Sequence, residues 1–214
     1  MTGKDAPGDR GQAFPAYIVV VAGLLFAALV FFVVGMAGIT RSNAQGAADA
    51  AALAAAGEAR DDLFLGLDLL DLKPSDWEKV VGGDLLNADG ACGRAAEFAA
   101  LNDASVTCSA PLPEVTVEVT TKQAVGNSVV PASGDLHGRA TATARIEPRC
   151  SLRSAPMPAP TPPPTPTPTP TPAPSAEARN VTFVCSGKPF TLDPSKPGGL
   201  SQLARKLFTV RLVD

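Results

Sequence analysis

Between Arg10 and Arg41 run thirty residues without one formal charge, and from Phe14 to Gly38 they are almost all Ile, Val, Leu, Phe, Ala and Gly. About twenty apolar residues suffice to carry a helix across the hydrocarbon layer of a membrane, so this stretch is long enough to span even when tilted. A cleavable secretory signal shares the charged start, but its apolar core is only about 7 to 15 residues long. The flank Gly35-Met36-Ala37-Gly38 carries the small residues a signal peptidase favours, yet the length of the run makes a retained anchor the expected outcome. Once such a segment is set aside, the rest of the 214 residues has room for one small domain.

Orientation does not follow from charge. Lys4, Arg10 and the terminal amine on one side nearly balance Arg41 and the more distant Arg60 on the other. Cysteine chemistry favours a cytoplasmic N-terminus and an extracytoplasmic C-terminus, because disulfides persist outside the cytosol. Four cysteines stand at Cys92, Cys108, Cys150 and Cys185, with no CxxC spacing and a single histidine, His137. A tetrahedral zinc site is poorly supported by that pattern, and disulfides are the better reading. Of three possible connectivities, Cys92 with Cys108 and Cys150 with Cys185 link sequence neighbours.

After Arg41 the chain turns to alanine, with Ala44-Gln45-Gly46-Ala47-Ala48-Asp49-Ala50-Ala51-Ala52-Leu53-Ala54-Ala55-Ala56 uninterrupted by proline. Alanine is the best helix former, so one helix from Ala16 to Asp62 is expected, roughly 70 Å long at 1.5 Å per residue. The alanine segment reads as a stalk that packs closely against a partner helix or a sheet, or else as a solvated helix. Gly23 and Ala27 add a small-xxx-small pair inside the apolar run.

The Arg10-Gly11-Gln12 start, the apolar span and the AADAAALAAA run that follows resemble the N-terminal module of the TadE/TadG-like pilus-assembly family, in particular its actinobacterial TadG-like members. The resemblance covers about the first sixty residues. It implies a role in assembling Flp-type pili or a related secretion apparatus, with other single-span pilus or secretion proteins as partners. The span lacks the acidic residue many members carry near its outer end. No glycine with a glutamate five residues later precedes the span, which argues against a processed pilin-like subunit.

Downstream, Asp61–Leu72, Ser75–Leu86 and Ala91–Asp103 mix acidic and aliphatic residues in a helix-compatible way, with Pro74 suited to a helix start. Glu114–Thr120 then alternates strictly, as does Arg139–Ile146 with small residues, predicting an antiparallel pair joined through Gly126-Asn127 and Ser133-Gly134. Val181–Val184 and Phe208–Val213 are further strand candidates. The expected class is α+β: a long transmembrane helix continuing into an alanine-rich stalk, then a small helical and antiparallel-sheet extracytoplasmic domain. The expected division is 1–13 cytoplasmic, 14–38 transmembrane, 39–62 stalk, 63–154 domain, 155–174 Thr/Pro-rich, and 175–214 strands completing the domain.

The Thr/Pro-rich stretch holds eleven prolines in twenty residues. Such sequence favours extended polyproline II and excludes helix and central strand, so it is a protruding loop if the flanking cysteines pair and a linker if they do not. Its threonines are candidates for O-linked sugars, a compositional hypothesis only.

Catalysis leaves no trace. No GxSxG, HExxH, phosphate-binding loop or dinucleotide fingerprint occurs, and His137 sits in a turn-like segment. Asp61, Asp62, Asp68 and Asp71 lack the spacing of a calcium loop and read as a solvated face. A net charge of −3 without a basic block excludes a nucleic-acid partner on electrostatic grounds. The expectation is therefore a non-enzymatic, cofactor-free envelope protein that contacts membrane lipid and assembles through its alanine-rich helix into homo- or hetero-oligomers. The alternative is a membrane-tethered ligand-binding or sensing protein. An envelope enzyme of unfamiliar type is a weaker third class, and would need a deep pocket with converging polar groups.

Overall fold

The computed structural model describes residues 13–124, 136–153 and 180–213. Helix α1 (Ala13–Asp61) runs 49 residues without a break. Its first half is apolar on every side, and its most apolar eighteen residues reach a mean hydropathy of 3.0 with none of them buried. Its second half carries a stripe of buried alanines: Ala44, Ala47, Ala48, Ala51, Ala52, Ala55, Ala56 and Ala59 are each no more than 1% exposed. Steps of three and four keep these residues on one side of a 3.6-residue helix. Sequence that looks uniformly alanine-rich is thus strongly one-sided once it is surrounded.

That side is covered by the chain itself. Strands β1 (Ala104–Ser109), β2 (Glu114–Ala124), β3 (His137–Pro148) and β7 (Phe208–Val213) form an antiparallel sheet in the order β1-β2-β3-β7. Alternation along β2 turns Val115, Val117 and Val119 inward, and β3 sets Ala144, Ala142 and Ala140 beside them in register. Helix α3 (Ala91–Leu101) lies against α1 as well and buries Ala91, Ala95 and Ala99, one residue per turn. Of the covers weighed for the alanine face, the sheet and α3 supply this one, with no second chain required. The outer face of the sheet is polar: Thr116 and Thr143 hydroxyls meet at 2.9 Å, and Arg145 pairs with Glu114 across the β2–β3 ladder. One greasy face and one wet face is the usual lot of an antiparallel sheet.

At the far end of α1 the packing changes character. Residues 62–72 are a run of turns where the sequence predicts helix. Asp62 and Phe64 carbonyls accept short-range bonds from Leu65 and Leu67, Gly66 takes φ +79°, and the Asp68 carboxylate accepts from the Leu70 N–H at 2.9 Å. Leu63, Phe64 and Leu69 are thereby turned inward. Helix α2 (Pro74–Gly82) starts on a proline whose missing N–H costs nothing at that position, while Asp76 reaches back to accept from the Lys73 N–H at 3.1 Å. It stops at Gly83 in the left-handed region (φ +86°), short of the expected Leu86.

Beyond β3 only Arg149 separates the large sheet from a second one, formed by β4 (Cys150–Leu152), β5 (Val181–Cys185) and β6 (Lys188–Leu192). Helix α4 (Leu200–Leu207) buries Leu203, Ala204 and Leu207 and leads straight into β7. Trp77 of α2 stands edge-on to Phe183 at 5.7 Å between ring centres, and Phe183 stacks on Phe190 at 6.1 Å. The core therefore has two textures: small residues against small residues along α1, and aromatic rings beyond its end. The expected α+β class holds. The Gly126-Asn127 and Ser133-Gly134 turns lie outside the described residues, as do residues 1–12 and 155–174.

Candidate membrane and assembly surface

The features that bear on function all hang on α1. Around its apolar half Tyr17, Val19, Phe26, Phe31 and Phe32 are open on every face, Phe31 to 80%. A helix apolar all round must be surrounded by lipid or by other helices, since water penalises each such side chain by roughly 1.5 to 3 kcal/mol relative to burial. By length and composition this is the one candidate membrane span among the described residues.

Where the apolar half ends, the domain begins at once. Gly138 lies against α1 so closely that a Cβ there would stand 2.6 Å from the Thr40 carbonyl oxygen and 3.2 Å from the Ala44 Cβ. The inward positions of β3 read Gly138, Ala140, Ala142, Ala144, Ile146, small residues at every second place until the last. That series is the price of bringing a strand against a helix backbone. It was legible as alternation with small residues, but the role of Gly138 was not, because only the neighbour's position explains it.

The cysteines are joined as Cys92–Cys108 and Cys150–Cys185. The first ties α3 to β1. The second links residues directly opposite one another in the β4–β5 ladder, so the Thr/Pro-rich sequence is inserted between two paired strands of one hairpin. His137 is the first residue of β3, and its Nδ1 lies 2.7 Å from the Thr121 carbonyl oxygen. The four aspartates are not gathered into a site. Asp61 forms ion pairs with Arg60 at 2.8 Å and with Arg205 of α4 at 2.5 Å, fastening the end of α1 to the C-terminal helix. Asp68 serves its local turn. The hydrogen bond from Arg205 to Asp61 raises the guanidinium pKa above its ordinary value, and the Arg211 guanidinium holds the Glu147 carboxyl below the usual carboxylate range.

Residues 11–58 match the family described as putative Flp pilus-assembly TadE/G-like. The chain carries a TadE/G-like segment. No curated protein and no solved structure was found to match the chain. The TadE/G-like match is nearly coextensive with α1, so what the family shares with this protein is the helix that is apolar in one half and alanine-striped in the other. The match supports a role related to pilus assembly.

Proposed function

We propose that this protein is a membrane-anchored, non-catalytic component of Tad/Flp-type pilus assembly or a related secretion apparatus. Residues 14–38 cross the membrane, the N-terminus is cytoplasmic, and residues 63–154 and 175–214 fold outside. The observation that carries the reading is the coincidence of the TadE/G-like match with a helix whose matched residues divide into a lipid-compatible half and a domain-building half. The two disulfides favour the orientation, since bridges of this kind are rare in a reducing cytosol. Other short-span envelope proteins are the partners, engaging the apolar half of α1 or the outward surfaces of the domain, because the alanine stripe is already occupied.

The test is purification of the full chain from its native membrane in mild detergent. Other single-span pilus or secretion proteins should accompany it reproducibly, and recovery of the protein alone would sink the assembly reading. Alkylation of intact cells with a membrane-impermeant thiol reagent, after reduction, should modify all four cysteines. Protection of those thiols until lysis would reverse the orientation.

A further inference from the structure

The rim of the domain nearest the apolar half of α1 carries exposed leucines and exposed cations. Helix α1 is continuous through Thr40, and Gly138 packs against it there, one residue after the apolar run ends at Ile39. No spacer separates span from domain. From Phe14 to Ile39 the helix extends about 39 Å, against a hydrocarbon layer of about 30 Å and about 40 to 45 Å with headgroups. A domain that starts at Thr40 therefore starts inside or directly above the headgroup layer.

The direction of the strands fixes which residues face that layer. Strand β3 leaves Thr40 at Gly138 and climbs until Pro148 pairs with Phe208, beside the helix whose Arg205 holds Asp61. Its first residues, and Leu136 before them, thus lie on the membrane side. Strand β2 descends to Ala124, which pairs with His137, and the Lys122 N–H donates to the Asp103 carbonyl at 2.7 Å, drawing the α3–β1 turn to the same rim. On this rim Leu136 is 57% exposed and Leu101 74% exposed, as open as Leu65 and Leu70 beyond the other end of α1, but these two sit on the side from which the apolar half of the helix emerges. Arg41, Lys122, Arg139 and Asp103, at the same end of the domain, are exposed as well. Among the described residues none of these three cations makes an ion pair, so their charges are open to solvent or to a bound anion.

We infer that this rim, Leu136 and Leu101 among Arg41, Lys122 and Arg139, seats in the headgroup layer of an anionic bilayer and fixes the domain upright on its span. Leucines enter the interface while basic side chains reach lipid phosphates, the arrangement by which polar-rimmed apolar surfaces bind membranes. The inference rests on the proposed span, and its test separates the two. The full chain, carrying the photoreactive residue p-benzoyl-phenylalanine in place of Leu136, Leu25 or Leu70, is reconstituted into phosphatidylglycerol or phosphatidylcholine vesicles and irradiated, and adducts are identified by mass spectrometry.

Lipid adducts are expected at positions 136 and 25, with none at position 70. The yield at position 136 should be roughly fivefold higher in the anionic vesicles and should fall toward the neutral-vesicle yield when Arg41 and Lys122 are both changed to glutamine. Lipid adducts at 25 with none at 136 would overturn the inference and leave the span intact. Protein–protein adducts at 136 would also overturn it, by assigning the rim to a second copy. Equal yields in the two vesicles would overturn the assignment to anionic headgroups. Absence of lipid adducts at 25 would remove the span itself.

Discussion

Two glycines measure how closely the residues of this protein are fitted. Gly46 sits mid-helix on the exposed side of α1, where a Cβ would meet nothing within 4 Å, whereas a Cβ at Gly138 would face backbone at 2.6 Å. Gly46→Ala should therefore raise stability by about 0.5 to 1 kcal/mol through helix propensity alone. Gly138→Ala should lower it by about 1 to 3 kcal/mol, because the clash is with a carbonyl that cannot swing aside. Denaturant titration of the two variants in detergent checks both signs. An ion pair offers a third residue-scale expectation. The hydrogen bond from Arg211, and then its charge, keep the Glu147 pKa depressed, so the pair contributes above the ordinary glutamate value of about 4.3 and is lost as pH falls through the folded value. Thermal midpoints of the wild type and Glu147→Gln should differ slightly at neutral pH and converge in acid. Arg211 is exposed and Glu147 only half-buried, so solvent screening keeps the difference small.

Among the elements, legibility tracked periodicity. The uncharged run with its alanine continuation was readable as one helix, and the strict alternation of Glu114–Thr120 and Arg139–Ile146 as paired strands, because each pattern is long and its period unambiguous. Strand β4 is too short at three residues to carry a period, β6 contains Pro189, which argues against a strand, and β1 buries outright only Ala104, so none of the three was legible. Helix α4 was hidden for a different reason: it buries only Leu203, Ala204 and Leu207 and meets β7 without a breaker. Asp61–Leu72 misled, since its spaced leucines suit a helix, yet Gly66 and the Asp68 turn bend the chain so that Leu63, Phe64 and Leu69 all point inward. At this scale Cys150–Cys185 matters most, for β4 pairs with β5 over only three residues. Replacing both cysteines with serine should lower stability by about 2 to 4 kcal/mol and expose Trp77 beside Phe183, visible as a red shift and increased acrylamide quenching of its fluorescence.

For the molecule as a whole, the arrangement of insertions and covers sets what can be removed. The Thr/Pro-rich sequence lies between Leu152 and Val181, whose strands already pair, so replacing residues 155–174 with a short glycine-serine turn should leave the thermal midpoint of the domain nearly unchanged. A large drop would mean that the sequence takes part in the fold. Trimming from the C-terminus should behave oppositely, because β7 closes the edge of the large sheet and α4 holds the end of α1 through Arg205.

The helix runs unbroken through residue 40, with no proline at that point, and Gly138 packs against it there, so no flexible linker joins its apolar half to the domain. A sideways push on its top, where the aromatic cluster and the hairpin lie, cannot be absorbed by a slack joint. With residues 14–38 in the bilayer as proposed, it would rotate the apolar half of α1, so a partner pulling on the domain would be felt, as tilt, at the other end of the helix.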